Sequence, residues 1–586
     1  MGLLTRASSA LDRRFGWDRL PKWIGILTLV GLRTRLREEN LHDTETVAPP
    51  PPSDPVPARF QRGRTTDGTY NDLSNPRMGS IGARFGRNVP LDRTFPDVDA
   101  SLIEPNPRTV SRELLTRERF IPATTLNLLA GAWLQFEVHD WFSHGQNETA
   151  TWDIELTDDD PWPDRPMRIP RTRRDPTSDA DPSTSPTYVT ADSHWWDASQ
   201  IYGSETGFAN AIRSGEGGKL RVDEHGLLPA DLQQHVDLEG VAANFWVGLG
   251  LLHTLFTLEH NAICDAIADD EPSWSDDEIF DRARLTVSAL IAKIHTTEWT
   301  PAIIAHPTTK SAMNANWWGI AGQRFHRRFG RIGKGEVLSG IPGSPTSHHG
   351  VPYSLTEEFV AVYRMHPLIP DDYSFRALAD DTLLHEHTLP ELGAVHVRDR
   401  LAETPMKDLF YSFGTSHPGA ITLHNYPRFL QHLERPDGTV LDLATIDVLR
   451  TRERGVPRYN QFRRLLHLKP FDTFEELAER PEDAEQLRAM YGDVERVDTM
   501  IGMYAERKPK GFGFSDTAFR IFILMASRRL ESDRFFTRDY RPEVYTRAGI
   551  DWVESTSMRS LLLRHFPALE TALEGVSNPF APWRRA

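Results

Sequence analysis

Long runs with apolar residues at three- and four-residue spacing constrain the fold of this chain more than any other feature. This spacing is the period of a helix with one buried face. Alternating strand patterns and Asn-Gly hairpin turns are scarce, so we expect a mostly α-helical protein. The helical runs cover residues 244–267, 279–295, 484–504 and 517–530.

The chemically informative motifs are spread over most of the chain. Its 586 residues are enough for a large core, and this length alone suggests several domains. The motifs described below must nevertheless meet at one site. We therefore predict a single catalytic domain that covers residues 58–586.

Residues 1–57 are predicted to form an N-terminal amphipathic helical segment and a Pro-rich linker, residues 49–57. The uncharged apolar run at residues 23–32 is shorter than the roughly 20 residues that cross a bilayer. Arginine and lysine flank this run, so residues 20–37 either form an amphipathic helix on a lipid surface or over the mouth of the pocket, or pack on the body of the protein. No secretory signal is evident.

Charge and cysteine content exclude several classes of protein. The net charge of −16 and the lack of a long basic face argue against a nucleic-acid partner. The one cysteine, Cys264, excludes an intramolecular disulfide and a Cys-rich zinc site. A cytoplasmic location is favoured, peripheral to a membrane if residues 20–37 contact lipid.

Tyr363 and His366 are three residues apart at the predicted end of a helix. Residues 354–357 (Ser-Leu-Thr-Glu) have the form of a capping box, and Pro367 is expected to end the run. The two side chains then share one helix face. If His366 binds a haem iron, the phenol lies near the porphyrin edge. Taken alone, such a pair is more often a core or surface feature.

Gln135 and His139 close an apolar run that begins near Leu126. Four residues apart, they share one helix face. A Gln/His pair above an open iron position can take a proton from a bound peroxide and return it to the departing oxygen. The alternative is a hydrogen-bonded core histidine.

A third segment, residues 193–199, offers hard oxygen ligands. Alternation along an extended loop places Ser193, Asp197 and Ser199 on one side, with the carbonyl of Trp195. Together with Asp140, these groups suit calcium, which would hold the residue next to the distal histidine. The alternative is an ordinary turn.

These segments, in this order, resemble the peroxidase–cyclooxygenase superfamily, and most closely the fatty-acid alpha-dioxygenases known from plants. The resemblance runs from about residue 20 almost to the C-terminus. It implies one large, mostly α-helical haem-peroxidase-like (cyclooxygenase-like) domain. Further matching segments are residues 67–77, 259–261, 295–300, 312–317, 349–359, 452–460, 510–512 and 526–536.

The resemblance assigns roles around a haem group. It makes His366 the proximal iron ligand and His139 the distal acid–base residue, with Gln135 beside it. It also matches Asn460 to the side chain that accepts a hydrogen bond from the proximal imidazole.

Two departures from the animal peroxidases refine this picture. Val138 stands where those enzymes have a carboxylate that esterifies haem, so haem b is expected to be non-covalent. Ala242 stands where they have a distal arginine, so general peroxidase turnover should be poor. The alpha-dioxygenases share both departures.

By the same resemblance, His295, Thr300 and Arg529 hold the fatty-acid carboxylate, with Arg528 as the alternative arginine. On a regular helix His295 and Thr300 would lie about 140° apart, so they would share only a broad face, helped by the end of the helix at Pro301. A carboxylate held beside Tyr363 would leave only the adjacent carbon within reach of the phenol.

The resemblance therefore implies an oxidoreductase that needs a peroxide activator, O2 and a fatty acid. A radical on Tyr363 abstracts hydrogen from C2, and O2 adds to give a 2-hydroperoxy acid. Two alternatives stay open: a mid-chain fatty-acid dioxygenase or peroxidase of the same superfamily, and a non-catalytic haem-binding protein. The sequence predicts neither the preferred chain length nor the oligomeric state.

Overall fold

A computed structural model describes residues 2–44, 56–95, 102–138, 141–173, 175–178, 185–231, 236–240, 246–333, 335–435 and 438–586. Helices dominate this part of the chain, which confirms the predicted mostly α-helical class. The helices of six or more residues are α1 (Leu3–Phe15), α2 (Lys22–Glu39), α3 (Leu128–Val138), α4 (Thr206–Ala211), α5 (Val247–Asp270), α6 (Asp276–Ile294), α7 (Pro307–Trp318), α8 (Gln323–Phe329), α9 (Glu357–Val362), α10 (Val397–Glu403), α11 (Met406–Thr415), α12 (Leu443–Glu453), α13 (Tyr459–Leu465), α14 (Pro481–Tyr491), α15 (Thr499–Ala505), α16 (Asp516–Ser532), α17 (Arg547–Ser555) and α18 (Met558–His565).

The strands of the described residues pair as antiparallel two-stranded ribbons, each made of consecutive strands. They are β1 (Gln146–Ile154) with β2 (Met167–Thr172), β3 (Ala230–Asp231) with β4 (Val236–Asp237), β5 (Asp372–Arg376) with β6 (Leu383–Thr388), and β7 (Leu433–Glu434) with β8 (Val440–Leu441).

The helices α3, α5, α6 and α16 form the centre of the core. Their sequences are apolar on more than one face, as expected for helices surrounded by protein. Trp133 and Phe136 of α3 pack on Phe256 of α5, with ring centroids 5.7 and 5.4 Å apart. These helices form the rigid body on which the candidate site is built.

The predicted helical runs match the structure with one exception. Residues 244–267, 279–295 and 517–530 correspond to α5, α6 and α16. The run at residues 484–504 is divided into α14 and α15, because Gly492 adopts a left-handed φ of 70° at the end of α14. Apolar spacing alone does not reveal this break.

The N-terminal helices pack on the body of the protein. Trp17 donates a hydrogen bond to Asp516 of α16 over 2.8 Å, and Arg520 of α16 pairs with Asp12 of α1 over 2.9 Å. Helices α1 and α2 touch at Gly31, where an added Cβ would lie 2.2 Å from the Ser8 hydroxyl. Packing on the body is therefore the observed arrangement of residues 20–37.

The division of the chain at residue 57 stays a prediction. Most of the predicted linker, residues 49–55, lies outside the described residues. Within the described residues, none of the helices combines the length and the apolar character needed to cross a lipid bilayer.

Candidate active site

Tyr363 is the C-cap residue that follows α9, and it is buried among aromatic rings. Its ring lies 4.6 Å from that of Phe359 and 5.1 Å from that of Phe522, with Phe142 and Trp141 next to it. Burial raises the pKa of Tyr363 well above its usual value, and the nearby Arg529 cation offsets part of this rise. The phenol therefore keeps its proton at any physiological pH.

The local structure around Tyr363 differs from the predicted one. The N-cap of α9 is Thr356, whose hydroxyl accepts from the Phe359 amide, and not Ser354. The helix ends at Val362, and His366 and Pro367 belong to a separate 3-10 turn, residues 366–368. The two candidate side chains therefore do not share a helix face.

His366 is held by a carboxylate that the sequence reading missed. Its Nδ1 lies 2.8 Å from Oδ2 of Asp447 on α12, and Arg364 and Tyr426 bind the same carboxylate. Burial raises the pKa of Asp447, but the charges of Arg364 and His366 outweigh burial and hold that pKa below its usual value. Because Nδ1 faces Asp447 at this distance, Nε2 of His366 is the nitrogen left to bind iron.

Asn460 does not fill the role predicted for it. Its amide donates to the Phe471 carbonyl and to Glu495, and its carbonyl accepts from the Phe471 amide. These side-chain contacts are with Phe471 and Glu495 rather than with His366, and Asp447 takes the place next to His366. The signal that could have found Asp447 is its position in the arginine-rich helix just before the matched segment 452–460.

The distal side is described in part. Gln135 lies on α3, and its side-chain carbonyl accepts a hydrogen bond from Trp246 over 2.6 Å, which fixes the orientation of the amide. His139, Asp140 and Ala242 lie outside the described residues. Val138, the last residue of α3, is half-buried.

A π-helical turn brings His295 and Thr300 into line. Helix α6 is followed by five π-helical residues, His295–Trp299, and the Thr300 amide donates to the His295 carbonyl. Because this hydrogen bond joins residues five apart, the turn is wider than in an α-helix and the angle between the two side chains shrinks. The angle of about 140° on a regular helix is thereby reduced.

The His295 ring is buried and neutral. Its Nδ1 accepts from the indole N–H of Trp133 over 3.2 Å, so the ring proton is on Nε2. Burial and the charge of Arg529 lower the pKa of His295 to about 3. The ring lies 4.6 Å from Trp299 in a stacked contact and 5.2 Å from Trp196 in an edge contact.

Arg529 lies between two indole rings. Its guanidinium carbon is 3.4 Å from the ring centroid of Trp141 and 4.9 Å from that of Trp196. One Nη donates to the Trp195 carbonyl over 3.4 Å. The side chain is buried, and in the described part of the chain Nε and the other Nη have no hydrogen-bond partner and no carboxylate pairs with them.

Contact with aromatic faces stabilises a cation without neutralising it. Arg529 therefore keeps its charge and N–H donors for an anionic ligand. Arg528 is unsuited to this role, because it donates to the carbonyls of Val351, Pro352 and Ser354.

Glu137 is a second buried carboxylate that the sequence reading passed over. It accepts from the indole N–H of Trp196 over 2.9 Å and lies 3.8 Å from Nδ1 of His295. Through Trp196 it connects α3 to the rings around Arg529. No signal in the sequence distinguishes it from an ordinary helix residue.

The candidate calcium loop is buried and acidic. Asp197 accepts from the Ser199 amide over 3.2 Å, and its Oδ2 has no hydrogen-bond partner among the described residues, with Arg284 3.7 Å away. The Ser193 hydroxyl accepts from the Trp195 amide. Burial, with Asp197 nearby, raises the pKa of Asp192 to about 6. A buried carboxylate oxygen without a donor suits a bound cation.

Comparisons with known proteins show what this chain is similar to. The profile of the family "Animal haem peroxidase" matches residues 63–576. The alpha-dioxygenase PIOX of Oryza sativa is 38% identical over 98% of this chain and 94% of its own. The crystal structure of the Oryza sativa fatty acid alpha-dioxygenase has a TM-score of 0.91, 37% identity, and coverage of 100% of this chain and 97% of that one. A tyrosine-to-phenylalanine variant of the rice enzyme with palmitic acid has a TM-score of 0.92, with 36% identity and the same coverage.

Proposed function

Because the chain belongs to the animal haem peroxidase family and, within it, to the alpha-dioxygenases, we propose that it is an oxidoreductase that adds O2 to C2 of free fatty acids. The observation that carries the proposal is Arg529, a buried cation held by indole rings next to Tyr363. A carboxylate on Arg529 leaves the adjacent carbon as the part of the chain closest to the phenol.

The residues present fit a haem group. His366 has its Nδ1 fixed on Asp447, so Nε2 would hold the iron. When bound, haem supplies the oxidising equivalents that a peroxide activator delivers. His139 would move the proton of that peroxide, with Gln135 beside it, and Val138 offers no carboxylate for a covalent link.

Tyr363 would transfer hydrogen atoms between the oxidised site and the substrate. Its protonated phenol loses one hydrogen atom when the site is oxidised, and the phenoxyl takes one from C2 of the fatty acid. O2 adds to the carbon radical, and the peroxyl takes the hydrogen atom back from Tyr363. The products are a 2-hydroperoxy acid and a renewed phenoxyl, so one activation supports many turnovers.

Arg529, His295 and Thr300 form what we call the clamp, which would hold the substrate carboxylate by charge and hydrogen bonds. Arg529 supplies the charge, and His295 would donate Nε2–H to one carboxylate oxygen, because its Nδ1 is already occupied. Thr300, aligned with His295 by the π-turn, would donate its hydroxyl. A fixed carboxylate in a dry pocket accounts for oxygenation at C2 rather than in mid-chain.

Calcium is part of the proposal. Asp197, Ser193, Ser199 and the Trp195 carbonyl would bind it together with Asp140, as hard oxygen ligands. Support comes from Oδ2 of Asp197, which accepts no hydrogen bond in the described residues and has only the Arg284 guanidinium 3.7 Å away, and from the raised pKa of the neighbouring Asp192.

The test is product analysis with two acids. Haem-loaded protein is incubated with palmitate and with linoleate, and oxygen uptake and the position of oxygen are measured. We expect uptake and 2-hydroperoxy products with both. A mid-chain dioxygenase needs the weak C–H bonds between double bonds, so oxygenation of linoleate alone would overturn the proposal. Spectroscopic haem binding without uptake from either acid would indicate a non-catalytic haem protein.

We also propose that α2 contacts a lipid surface, from which fatty acids would be taken. Trp23, Ile24 and Leu27 at its N-terminal end are 61%, 45% and 55% exposed, although the helix itself packs on the body. Lys22 lies over the Trp23 ring, 5.3 Å from its centroid. Aromatic and aliphatic side chains beside a cation are typical of interfacial helices. A cytoplasmic location remains a prediction.

A further inference from the structure

A cluster of metal-ligand side chains lies outside the candidate active site. His385 and His387 are two residues apart on β6, so both side chains lie on the same face of the strand. Glu403 ends α10 and reaches toward the same point. The ligand atoms of the three residues all lie within 4.8 Å of one another.

The contacts of the cluster leave its nitrogen atoms available. Nδ1 of His385 is 3.7 Å from Oε1 of Glu403, beyond hydrogen-bond distance. Nε2 of His387 is buried and has no hydrogen-bond partner in the described part of the chain. The two imidazole rings are near-parallel, with centroids 5.9 Å apart. Two imidazoles face one point without satisfying each other.

We propose that His385, His387 and Glu403 bind a transition-metal ion, with Zn²⁺ as the expected occupant. Two imidazole nitrogens and one carboxylate oxygen suit zinc, nickel or copper, whereas calcium and magnesium prefer oxygen ligands alone. Ligand atoms in this range need only side-chain rotation to reach the roughly 2.0–2.2 Å bonds of a zinc site. The half-exposed position leaves the remaining coordination site to water.

Arg400 competes with the metal in a way that can be measured. One turn before Glu403 on α10, it pairs with Oε2 of that carboxylate. Oε1 is the oxygen that lies toward His385, so the metal and the guanidinium can share Glu403. The Arg400 charge repels a cation, and its removal should tighten binding.

The site would fasten the β5–β6 ribbon to α10. The ribbon also packs toward the active site, since the Tyr373 ring of β5 lies 5.7 Å from that of Trp246, which holds Gln135. Zinc binding is nevertheless separate from the proposed oxygenation, because in the described part of the chain its ligands contact one another, Arg400 and Phe375, which lie outside the candidate site.

Equilibrium dialysis of the haem-loaded full chain against Zn²⁺, with metal analysis, tests the proposal. We expect wild type to bind one zinc that His385→Ala and His387→Ala each weaken at least tenfold. Arg400→Gln should bind zinc several-fold more tightly. His225→Ala is the matched control, because that exposed histidine also lies near a glutamate but belongs to no cluster of metal ligands among the described residues, and it should bind like wild type.

Two results would overturn the proposal. The first is equal zinc uptake by wild type and the His385→Ala/His387→Ala double variant, which shows that any zinc is bound elsewhere. The second is no uptake by wild type at about 100 μM zinc. Far-ultraviolet circular dichroism and the Soret spectrum of each variant establish that the comparison is made between folded, haem-loaded proteins.

Discussion

Tyr363 is a phenol whose surroundings are set by rings rather than by hydrogen bonds. Four aromatic side chains contact it: Trp141, Phe142, Phe359 and Phe522. Tyr363→Phe should therefore fold and bind haem normally and retain peroxide reduction, yet lose fatty-acid-dependent oxygen uptake. Oxygen-electrode assays with palmitate check this, and uptake near the wild-type rate would eliminate the radical role.

Replacement of Arg529 should reduce the turnover of charged substrates. Arg529→Leu leaves a buried carboxylate without its cation, which should weaken transition-state binding by about 2–5 kcal/mol, or well over tenfold in kcat/KM. Arg529→Lys is the matched variant, because it keeps the charge but loses the planar guanidinium. Its kcat/KM should lie between that of the wild type and that of Arg529→Leu.

Fatty-acid methyl esters provide the control for this prediction. They carry no charge for Arg529 to bind, so they should be poor substrates of the wild-type protein and nearly insensitive to Arg529→Leu. Equal wild-type turnover of acids and esters would show that Arg529 does not hold the substrate carboxylate. The reason to expect oxygenation at C2 would then no longer apply.

His295 should act as a neutral donor. Its pKa of about 3 means that the ring is uncharged above about pH 4. The ring gains a proton only as the pH falls through about 3. The KM for palmitate should therefore show no imidazole step between pH 5.5 and 8. A step near pH 6–7 that disappears in His295→Gln would show that the ring is cationic when substrate binds.

Candidate site residues could be predicted from the sequence where a motif contains them. The side chains that contact these residues in the fold could not be predicted. Tyr363, His295 and Arg529 lie near one another around the Trp141 and Trp196 rings, and their roles in the reaction stay predictions. Asp447 and Asn460 are the counterexample, because both stand in one arginine-rich segment and only the path of α12 decides which one reaches His366. The order of residues in the sequence does not predict how far Asp447 or Asn460 lies from His366.

At the level of elements, local hydrogen bonding changes geometry that periodicity cannot describe. The π-turn at residues 295–299 aligns His295 with Thr300. The separate turn at residues 366–368 orients His366 independently of α9. In both places the side chains are those that the sequence indicated, while their relative directions depend on a few residues with irregular backbone.

The loop at residues 193–199 connects the proposed calcium site to the clamp. Its Trp195 carbonyl accepts from Arg529, and the Trp196 ring contacts both Arg529 and His295. Calcium removal by EGTA should lower the melting temperature and raise the KM for palmitate by about tenfold or more, since support of this kind is commonly worth about 10–100-fold.

Thermal melting and palmitate kinetics of the haem-loaded protein check the effect of EGTA. Added Ca²⁺ should restore both quantities, whereas Mg²⁺ should not, because it demands a tighter octahedral shell. Melting and kinetics that are indifferent to EGTA would remove calcium from this loop.

For the whole molecule, the architecture was the most predictable level. Apolar periodicity gives the helix class directly, and motifs that must converge on one site argue for one catalytic domain. The profile match over residues 63–576 agrees with that reading. Helix crossings could not be predicted, since they depend on contacts such as the close approach of α1 and α2 at Gly31.

The exposed end of α2 determines how the whole molecule would meet its substrate. Trp23, Ile24 and Leu27 are exposed on α2, while the Arg37–Glu531 ion pair anchors the C-terminal end of this helix and the Trp17–Asp516 hydrogen bond anchors the turn before it. Replacing the three apolar residues with serine should therefore spare folding and turnover of dispersed palmitate. It should reduce cosedimentation with vesicles of phosphatidylcholine and phosphatidylserine by several-fold, because buried apolar area supplies most of interfacial binding.

Ile81→Ser is the matched control for the vesicle experiment, since it removes an exposed aliphatic residue, 37% accessible, away from α2. It should cosediment like wild type. Binding that is equal in the triple variant and wild type would assign lipid contact to another surface. Loss of binding in both variants would show a general response to lower surface hydrophobicity, because in that case the position of the apolar residues has no influence.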